Sequence, residues 1–476
     1  MNEDLPVAVI GAGPVGLAAA AQLVARGLTP LILERGASAG SAMLAWAHVR
    51  LFSPWRYNVD EAAHALLLSA GWASPDPERL PTGGELAGLY LGPLAAHAAI
   101  APHIHFDARV TAIGRLGLDK LGDAGRADRP FVLRWTDNEG ANHRSLAHAV
   151  IDASGTWHSP NLIGIDGFPV PGEDAAASSI AYGIPDVSGT AREGYAGKRI
   201  LVIGGGHSAI NVVLDVLRLQ HDAPDTRMIW ALRRDRIDRL LGGGLNDALP
   251  ERAALGIAAK SAIDSGRLEL LAPFTVEYLE HGPDAIRVSA TSRGEPVSID
   301  VDRIIVATGF RPDTGMFSEL RVALDSAIEA PTRRAPLIDP NLHSCGTVPP
   351  HGAAELAHPE PGFYIAGSKS YGRAPTFLMM TGYEQVRSIV AEITGDHEAA
   401  REVRLVLPKT GVCFTDSSED VQSGTCCGGP APKEIDACCK ADAEAKIAGL
   451  EDCGCSGPAA EKVARPAGSG CCGASA

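Results

Sequence analysis

The first 344 residues contain no cysteine, and nine of the ten cysteines in the chain lie at or beyond Cys413. A disulfide framework through the body of the protein is thereby excluded, and free thiols or metal ligands near the far end are expected instead. Clusters of basic residues are also missing. A formal net charge of -15 with no Lys/Arg run to offset it repels phosphate backbones and anionic lipid surfaces, so neither nucleic acid nor membrane is expected as a partner. Aromatic residues are scarce at 5%. The opening stretch MNEDLPVAVIG is acidic, lacks a basic n-region, and its apolar run is broken by Gly11, Gly13, Pro14 and Gly16. That pattern fits neither a signal peptide nor a membrane helix, and a cytoplasmic protein is the expectation.

What the chain does contain is length and turn-formers. Its 476 residues, with 53 Gly, 33 Pro and 45% hydrophobic residues, suffice for two domains and an appendage. From Val7 the sequence runs VAVIGAGPVGLAAAAQLVARGLTPLILERG. This reads as a short apolar strand, glycines at 11, 13 and 16, an Ala-rich helix opened by Pro14, and a second strand closed by Glu34 and Arg35. Gly11 permits the tight turn, Gly13 lets backbone approach a pyrophosphate, and Gly16 lets helix pack on strand. Glu34 stands where a carboxylate accepts hydrogen bonds from a ribose 2′-hydroxyl.

A second copy begins at Lys198, KRILVIGGGHSAINVVLDVLRL, with Gly204, Gly206 and Ala209 at the glycine positions, and His207 and Ser208 opening the helix. Its second strand, in TRMIWALRRDR, ends at Arg233 and Arg234 where the first copy has an acid. Guanidinium groups there favour a 2′-phosphate, so NADPH is expected at this turn. Two such units roughly 190 residues apart imply two dinucleotides and hydride transfer from a nicotinamide to a flavin.

These residues resemble the flavoproteins with two dinucleotide-binding domains, among them flavin-containing monooxygenases, thioredoxin reductase and mercuric reductase. IIVATGFRPD, with Ala307-Thr308-Gly309, is similar to the family's return strand into the flavin domain. IDASGTWHSPN, with Ser154-Gly155, resembles the exit from it. GFYIAGSKSYGRAPTFLMMTGYEQV resembles the segment that closes over the flavin, a strand and then a helix beginning near Pro375. Relatives carry Asp after the Ala366-Gly367 pair; here it is Ser368. Disulfide reductases of this group need a dithiol beside the flavin. The solitary Cys345 cannot supply one, so such a relay is excluded unless the tail reaches in. The run AWAHVRLFSPWRY, with Arg50, Phe52 and Pro54, resembles the stretch that lies against the flavin in the monooxygenase branch. The Phe-x-Gly-x-x-x-His signature of that branch is incomplete: GYAGKRIL has Leu201 where the His belongs. Arg50 and His48 are the candidate catalytic groups near the ring, with Tyr371 and Lys369 on the opposite wall.

After Pro408 the composition turns to Gly, Ser and Thr, as in a linker. A short helix is expected from Pro432, and then a disordered end. Candidate metal ligands fall in pairs: Cys426 and Cys427, Cys438 and Cys439, Cys453 and Cys455, Cys471 and Cys472. Their spacings suit neither strain-free vicinal disulfides nor tetrahedral zinc. Soft ions such as As(III), Hg(II) or Cu(I) fit thiolates on a flexible chain. Similar tails occur on flavoproteins associated with arsenic resistance, and that resemblance implies a detoxification role.

The expectation is therefore an α/β protein with two Rossmann-like domains: an FAD domain over 1–165, an NADPH domain over 166–305 inserted into it, an FAD-domain return over 306–408, and a flexible Cys-rich tail over 409–476. FAD is assigned to Gly11, Gly13, Pro14, Gly16, Glu34, Arg35, Gly309, Gly367 and Ser368, and NADPH to Gly204, Gly206, His207, Ser208, Arg233 and Arg234. The leading reading is an NADPH-dependent flavin monooxygenase acting on a small molecule with molecular oxygen. Two alternatives stand beside it: a flavin-dependent metal or disulfide reductase using tail cysteines, and a protein that sequesters thiophilic metal.

Overall fold

The structure, a computed structural model, describes residues 4–234, 258–339, 352–374 and 377–405. Every cysteine, the helix expected from Pro432, and Pro375 lie outside the described residues. The candidate metal ligands Cys426, Cys427, Cys438, Cys439, Cys453, Cys455, Cys471 and Cys472 are therefore all outside them. The strands are β1 (Val7–Ile10), β2 (Pro30–Leu33), β3 (Ile104–His105), β4 (Arg109–Arg115), β5 (Phe131–Thr136), β6 (Asn142–Ala147), β7 (Ala149–Asp152) and β8 (Ile180–Tyr182). They continue as β9 (Arg199–Ile203), β10 (Arg227–Ala231), β11 (Glu269–Leu271), β12 (Thr275–His281), β13 (Ile286–Ser292), β14 (Glu295–Val301), β15 (Arg303–Val306) and β16 (Phe363–Ile365). Four helices position the site: α1 (Pro14–Ala25), α2 (Glu61–Ser69), α3 (His207–Asp222) and α4 (Met379–Ile393).

VAVI and AVID are apolar without alternation, the pattern of strands covered on both faces, and both are wholly buried. They lie at the centre of a parallel sheet ordered β16-β7-β1-β2-β3. A second parallel sheet is ordered β11-β10-β9-β15-β8. All its strands fall between β7 and β16 in the chain, so the second sheet is inserted into the first. Each unit carries an antiparallel meander, β4-β5-β6 or β12-β13-β14. Among the described residues no helix is long and apolar enough to cross a membrane.

α1 is buried nearly all round, and its run Ala18 to Ala21 lets α4 approach. At Gly382 of α4 a Cβ would stand 2.6 Å from Val15 Cγ2, so only glycine allows that crossing. α3 is amphipathic instead, burying Ala209, Ile210, Val212, Val213, Val216 and Leu219 on one stripe. The helix expected near Pro375 begins at Met379, because Leu378 is extended, with φ -118° and ψ 141°.

One buried ionic node ties β4 to the chain around the return. Glu360 accepts hydrogen bonds from Arg115 Nε at 2.7 Å, Arg126 Nη2 at 2.7 Å and the Arg321 amide at 3.0 Å. Burial pushes its carboxyl up, but the bonds from Arg126, Arg321 and Arg115 outweigh burial and hold it below the ordinary value. A depressed carboxylate stabilises the fold above its unfolded pKa of about 4.3 and loses that contribution as pH falls through the folded value. Glu360→Ala strands two buried guanidinium groups and should cost about 3–5 kcal/mol in chemical denaturation at neutral pH. The gap should narrow as pH is taken below the unfolded value of about 4.3, because the unfolded chain then takes up a proton that the folded carboxylate resists.

Candidate active site

Both glycine turns are built alike. β1 ends at Ile10, and the Gly11 amide donates to Leu33 O at 2.8 Å; β9 ends at Ile203, and the Gly204 amide donates to Ala231 O at 3.2 Å. Gly11 has φ +99° and Gly204 has φ +139°, values that L side chains rarely adopt. A Cβ on Gly11 would stand 2.9 Å from Ala153 O, just past β7. One on Gly204 would collide with Ala307 O, just past β15. Gly16 is bare for another reason, since its Cβ would strike the Gly11 carbonyl, whereas Ala209 takes the equivalent place in the second unit.

Gly13 and Gly206 are different. Neither has any atom within 4 Å of the position a Cβ would occupy, and each is the N-cap of its helix with no side-chain cap. The first amides of α1 and α3 thus receive no side-chain cap from these residues, the arrangement that binds pyrophosphate. A dinucleotide fits both cradles.

Glu34 follows β2 directly and is 8% exposed. Its Oε2 accepts the Ala12 amide at 2.6 Å and its Oε1 the Gly36 amide at 2.8 Å, so the carboxylate braces the turn with lone pairs to spare for a ribose hydroxyl. Burial raises its pKa against these bonds and against the charge of Arg35. Arg35 is exposed; desolvation and the charge of Arg109 lower its pKa. In the second unit Trp230 Nε1 donates to Gly204 O at 2.8 Å and fixes the turn from below. Arg233 and Arg234 are exposed, past the end of β10.

The return segment meets the first turn at the C-terminal ends of the parallel strands, where α/β sheets bind ligands. Gly367, with φ +69°, would place a Cβ 3.2 Å from Val15 Cγ2, and its amide donates to Gln385 Oε1 at 2.8 Å. Ser368 Oγ lies 3.6 Å from the Cβ position of Gly155. Lys369 Nζ, buried, lies 2.7 Å from Asp152 Oδ2 and donates to Ser154 Oγ at 3.1 Å. The two connections between the units are bonded to each other: Asn161 Nδ2 donates to Thr308 O at 3.0 Å, the Asn161 amide to Gly309 O at 3.0 Å and the Arg311 amide to Ser159 O at 2.9 Å.

Residues 5–348 match the family model described as pyridine nucleotide-disulphide oxidoreductase. The chain belongs to that family. It is 30% identical over 276 residues to a Baeyer-Villiger monooxygenase from Streptomyces coelicolor, a match spanning 54% of this chain but only 44% of the relative. It is 24% identical over 390 residues to a ferredoxin–NADP reductase from Paramagnetospirillum magneticum, spanning 82% of this chain and 91% of that one. Among solved structures, bacillithiol disulfide reductase from Bacillus cereus superposes with a TM-score of 0.60 at 19% identity, over 84% of this chain and 99% of its own, a likeness of fold. The match spans less than half the length of that monooxygenase, and what the family shows is the two-dinucleotide architecture into which both glycine turns fit.

In this pyridine nucleotide oxidoreductase the candidate catalytic groups stand in three settings. Arg50 is exposed, and its Nη1 donates to Leu80 O at 2.6 Å. His48 Nε2 lies 4.0 Å from Asp215 Oδ2 on α3. Tyr371 is buried, edge-on to Phe377 at 5.4 Å, with the Arg334 guanidinium 3.6 Å over its ring. Phe52 lies 5.6 Å from the His207 ring, so the run Ala45 to Tyr57 reaches the second turn. Among the described residues no group of His, Cys, Asp or Glu side chains is placed to hold a metal ion. The expected thiol ligands, Cys426, Cys427, Cys438, Cys439, Cys453, Cys455, Cys471 and Cys472, lie outside the described residues. Sequence reading missed Asp152, Trp230, Asp215 and Arg334; the acid that closes β7, as Glu34 closes β2, was the one visible signal among them.

Gly13→Ala and Gly206→Ala place a methyl where the protein has nothing. Each should destabilise the cofactor-free protein only by the N-cap preference of Gly over Ala, about 0.5–1 kcal/mol. Gly13→Ala should weaken FAD retention, and Gly206→Ala should raise KM for the nicotinamide cofactor, each by about tenfold or more if a methyl displaces one phosphate hydrogen bond.

Proposed function

We propose that this oxidoreductase is an NADPH-dependent monooxygenase of a small molecule, linked to detoxification of arsenic or another thiophilic element. NADPH supplies the hydride and FAD, once reduced, the reactivity toward oxygen. The chain's own part is to hold each pyrophosphate on the amides of α1 or α3, to orient one ribose through Glu34 and one 2′-phosphate through Arg233 and Arg234, and to shield the space between the turns from water. Gly309, Gly367 and Ser368 are assigned to the flavin site, His207 and Ser208 to the NADPH turn. The domain limits at 165, 305 and 408 and a cytoplasmic location belong to this same reading.

The observation that carries the monooxygenase reading is a pairing. The first 344 residues contain no cysteine, so they offer no dithiol of the kind disulfide reductases place beside the flavin, and Phe52 of the aromatic run packs 5.6 Å from the His207 ring at the second turn. The similarity to a Baeyer-Villiger monooxygenase supports it. The tail thiols of Cys426 and Cys427, Cys438 and Cys439, Cys453 and Cys455, and Cys471 and Cys472 are proposed as the capture site for the thiophilic species.

Two measurements test this. Turnover with NADPH, 18O2 and a trivalent organoarsenical should place one labelled oxygen in the product, and removal of residues after Pro408 should leave NADPH-driven flavin reduction intact. Loss of that reduction on truncation would instead favour the reductase that uses tail thiols. Replacing Arg233 and Arg234 together by Ser should raise KM for NADPH while leaving that for NADH unchanged, since each charge-assisted bond to a phosphate is worth about 1.5–3 kcal/mol. An unaltered NADPH preference would remove those arginines from the site.

A further inference from the structure

α3 begins at the second glycine turn, so whatever fixes α3 also fixes the nicotinamide cofactor. On its third turn stands Asp215, an acid whose side chain is only 13% exposed. A carboxylate so placed needs partners. One is Arg218 on the same helix, whose Nη1 donates to Oδ1 at 2.6 Å from a side chain 73% exposed, and this bond fixes nothing beyond α3. Ser188 Oγ donates to the Asp215 carbonyl at 2.8 Å and ties the helix to its own unit. The other carboxylate oxygen, Oδ2, faces His48 Nε2 across 4.0 Å, and that nitrogen is buried with no hydrogen-bond partner among the described residues.

His48 belongs to the other unit. It follows the short helix Ser41–Leu44, which is tethered to the flavin turn by the Gly40 amide donating to Ala12 O at 2.9 Å. Trp46, two residues earlier, is locked against Gly83, where a Cβ would stand 2.7 Å from the indole. The loop bearing His48 is therefore rigidly referred to the flavin turn, as Asp215 is to the nicotinamide turn. Hydride transfer requires donor and acceptor carbons about 3–3.5 Å apart, and a misplacement near 1 Å costs about a hundredfold. The bonded connections at residues 159–161 and 309–311 join the units just past the ends of β7 and β15.

We propose that His48 and Asp215 are a positioning pair that aligns the NADPH turn with the flavin turn for hydride transfer. The proposal rests on the reading of NADPH-to-FAD hydride transfer given above. It moves His48 from the flavin ring to the contact between the units, and it assigns neither residue a direct part in the chemistry.

Anaerobic stopped-flow reduction of the purified flavoprotein by NADPH separates the limiting rate from the dissociation constant. His48→Gln and Asp215→Asn should each lower the limiting rate by about ten- to a hundredfold, with flavin content and circular dichroism unchanged and the dissociation constant altered less than about threefold. The double variant should be no slower than either single, and the exchange of His48→Asp with Asp215→His should recover part of the rate. Unchanged limiting rates, effects confined to the dissociation constant, or additive losses would overturn the pair while leaving hydride transfer standing. If the wild-type protein holds FAD but NADPH does not reduce it, the hydride-transfer reading falls first and takes the pair with it. Should Asp215→Asn fail to fold, His48→Gln alone gives the same readout, because His48 lies in a surface loop and is one-fifth exposed.

Discussion

The constraint on which the structure depends is that a pyrophosphate must be held by backbone amides, and amides are reachable only where side chains stand aside. Five glycines answer this in three physically distinct ways. Gly11 and Gly204 are required by backbone angle and by the carbonyl behind them, Gly16 by the closeness of helix to strand, and Gly13 and Gly206 by nothing in the protein at all. The last two are the informative ones. Both open the helices α1 and α3, where a capping side chain would compete for the N–H groups that a pyrophosphate takes.

Much of this was legible in the sequence because it is local. The turn VIGAGPVG holds its strand end, glycines and helix start within a few residues, and periodicity and spacing report such features directly. Ser368, the departure from the family pattern, stands beside Gly155, where its hydroxyl shares the neighbourhood of Ser154 and Lys369. What was illegible is long-range. Lys369 and Asp152 are over 200 residues apart, and no one-dimensional pattern marks a pairing that exists because β7 and β16 are neighbours in the sheet. His48 was assigned to the ring by its place in an aromatic run. The geometry shows a histidine facing an acid of α3, and α3's stripe of buried residues gave no hint of a partner so far away in the chain.

Arg334 shows how burial reverses the usual meaning of a charge. It is fully buried, donates to Ser370 Oγ and stacks on Tyr371, and its Nε and Nη2 find no partner among the described residues. Burial lowers its pKa, yet a guanidinium starts so high that it stays charged. Glu360 solves the same problem for Arg115 and Arg126 by accepting from both. The difference is informative about mechanics: the node at Glu360 is a closed set of bonds that stiffens the meander, whereas Arg334 leaves an open edge beneath the return segment and depends on the face of one phenol ring.

The two units also share a construction at their junction that spacing alone does not reveal. In each, the strand beside the glycine turn ends one residue before an alanine: Ala153 after β7, Ala307 after β15. The Ala153 amide donates to Ile10 O and the Ala307 amide to Ile203 O, so each alanine is pinned to the strand that feeds the turn, and its carbonyl then occupies the space behind Gly11 or Gly204. Two residues further on, Gly155 and Gly309 take positive φ and turn the chain toward the other unit, and a few residues later the two connections bond to each other. A continuous path of backbone contacts therefore runs from one phosphate turn, through both crossings, to the other. Any shift of one turn must be absorbed by these backbone bonds, which have little compliance. The proposed pair of His48 and Asp215 lies away from these crossings, on the face where α3 meets the other unit, and would set the rotation that the crossings leave open.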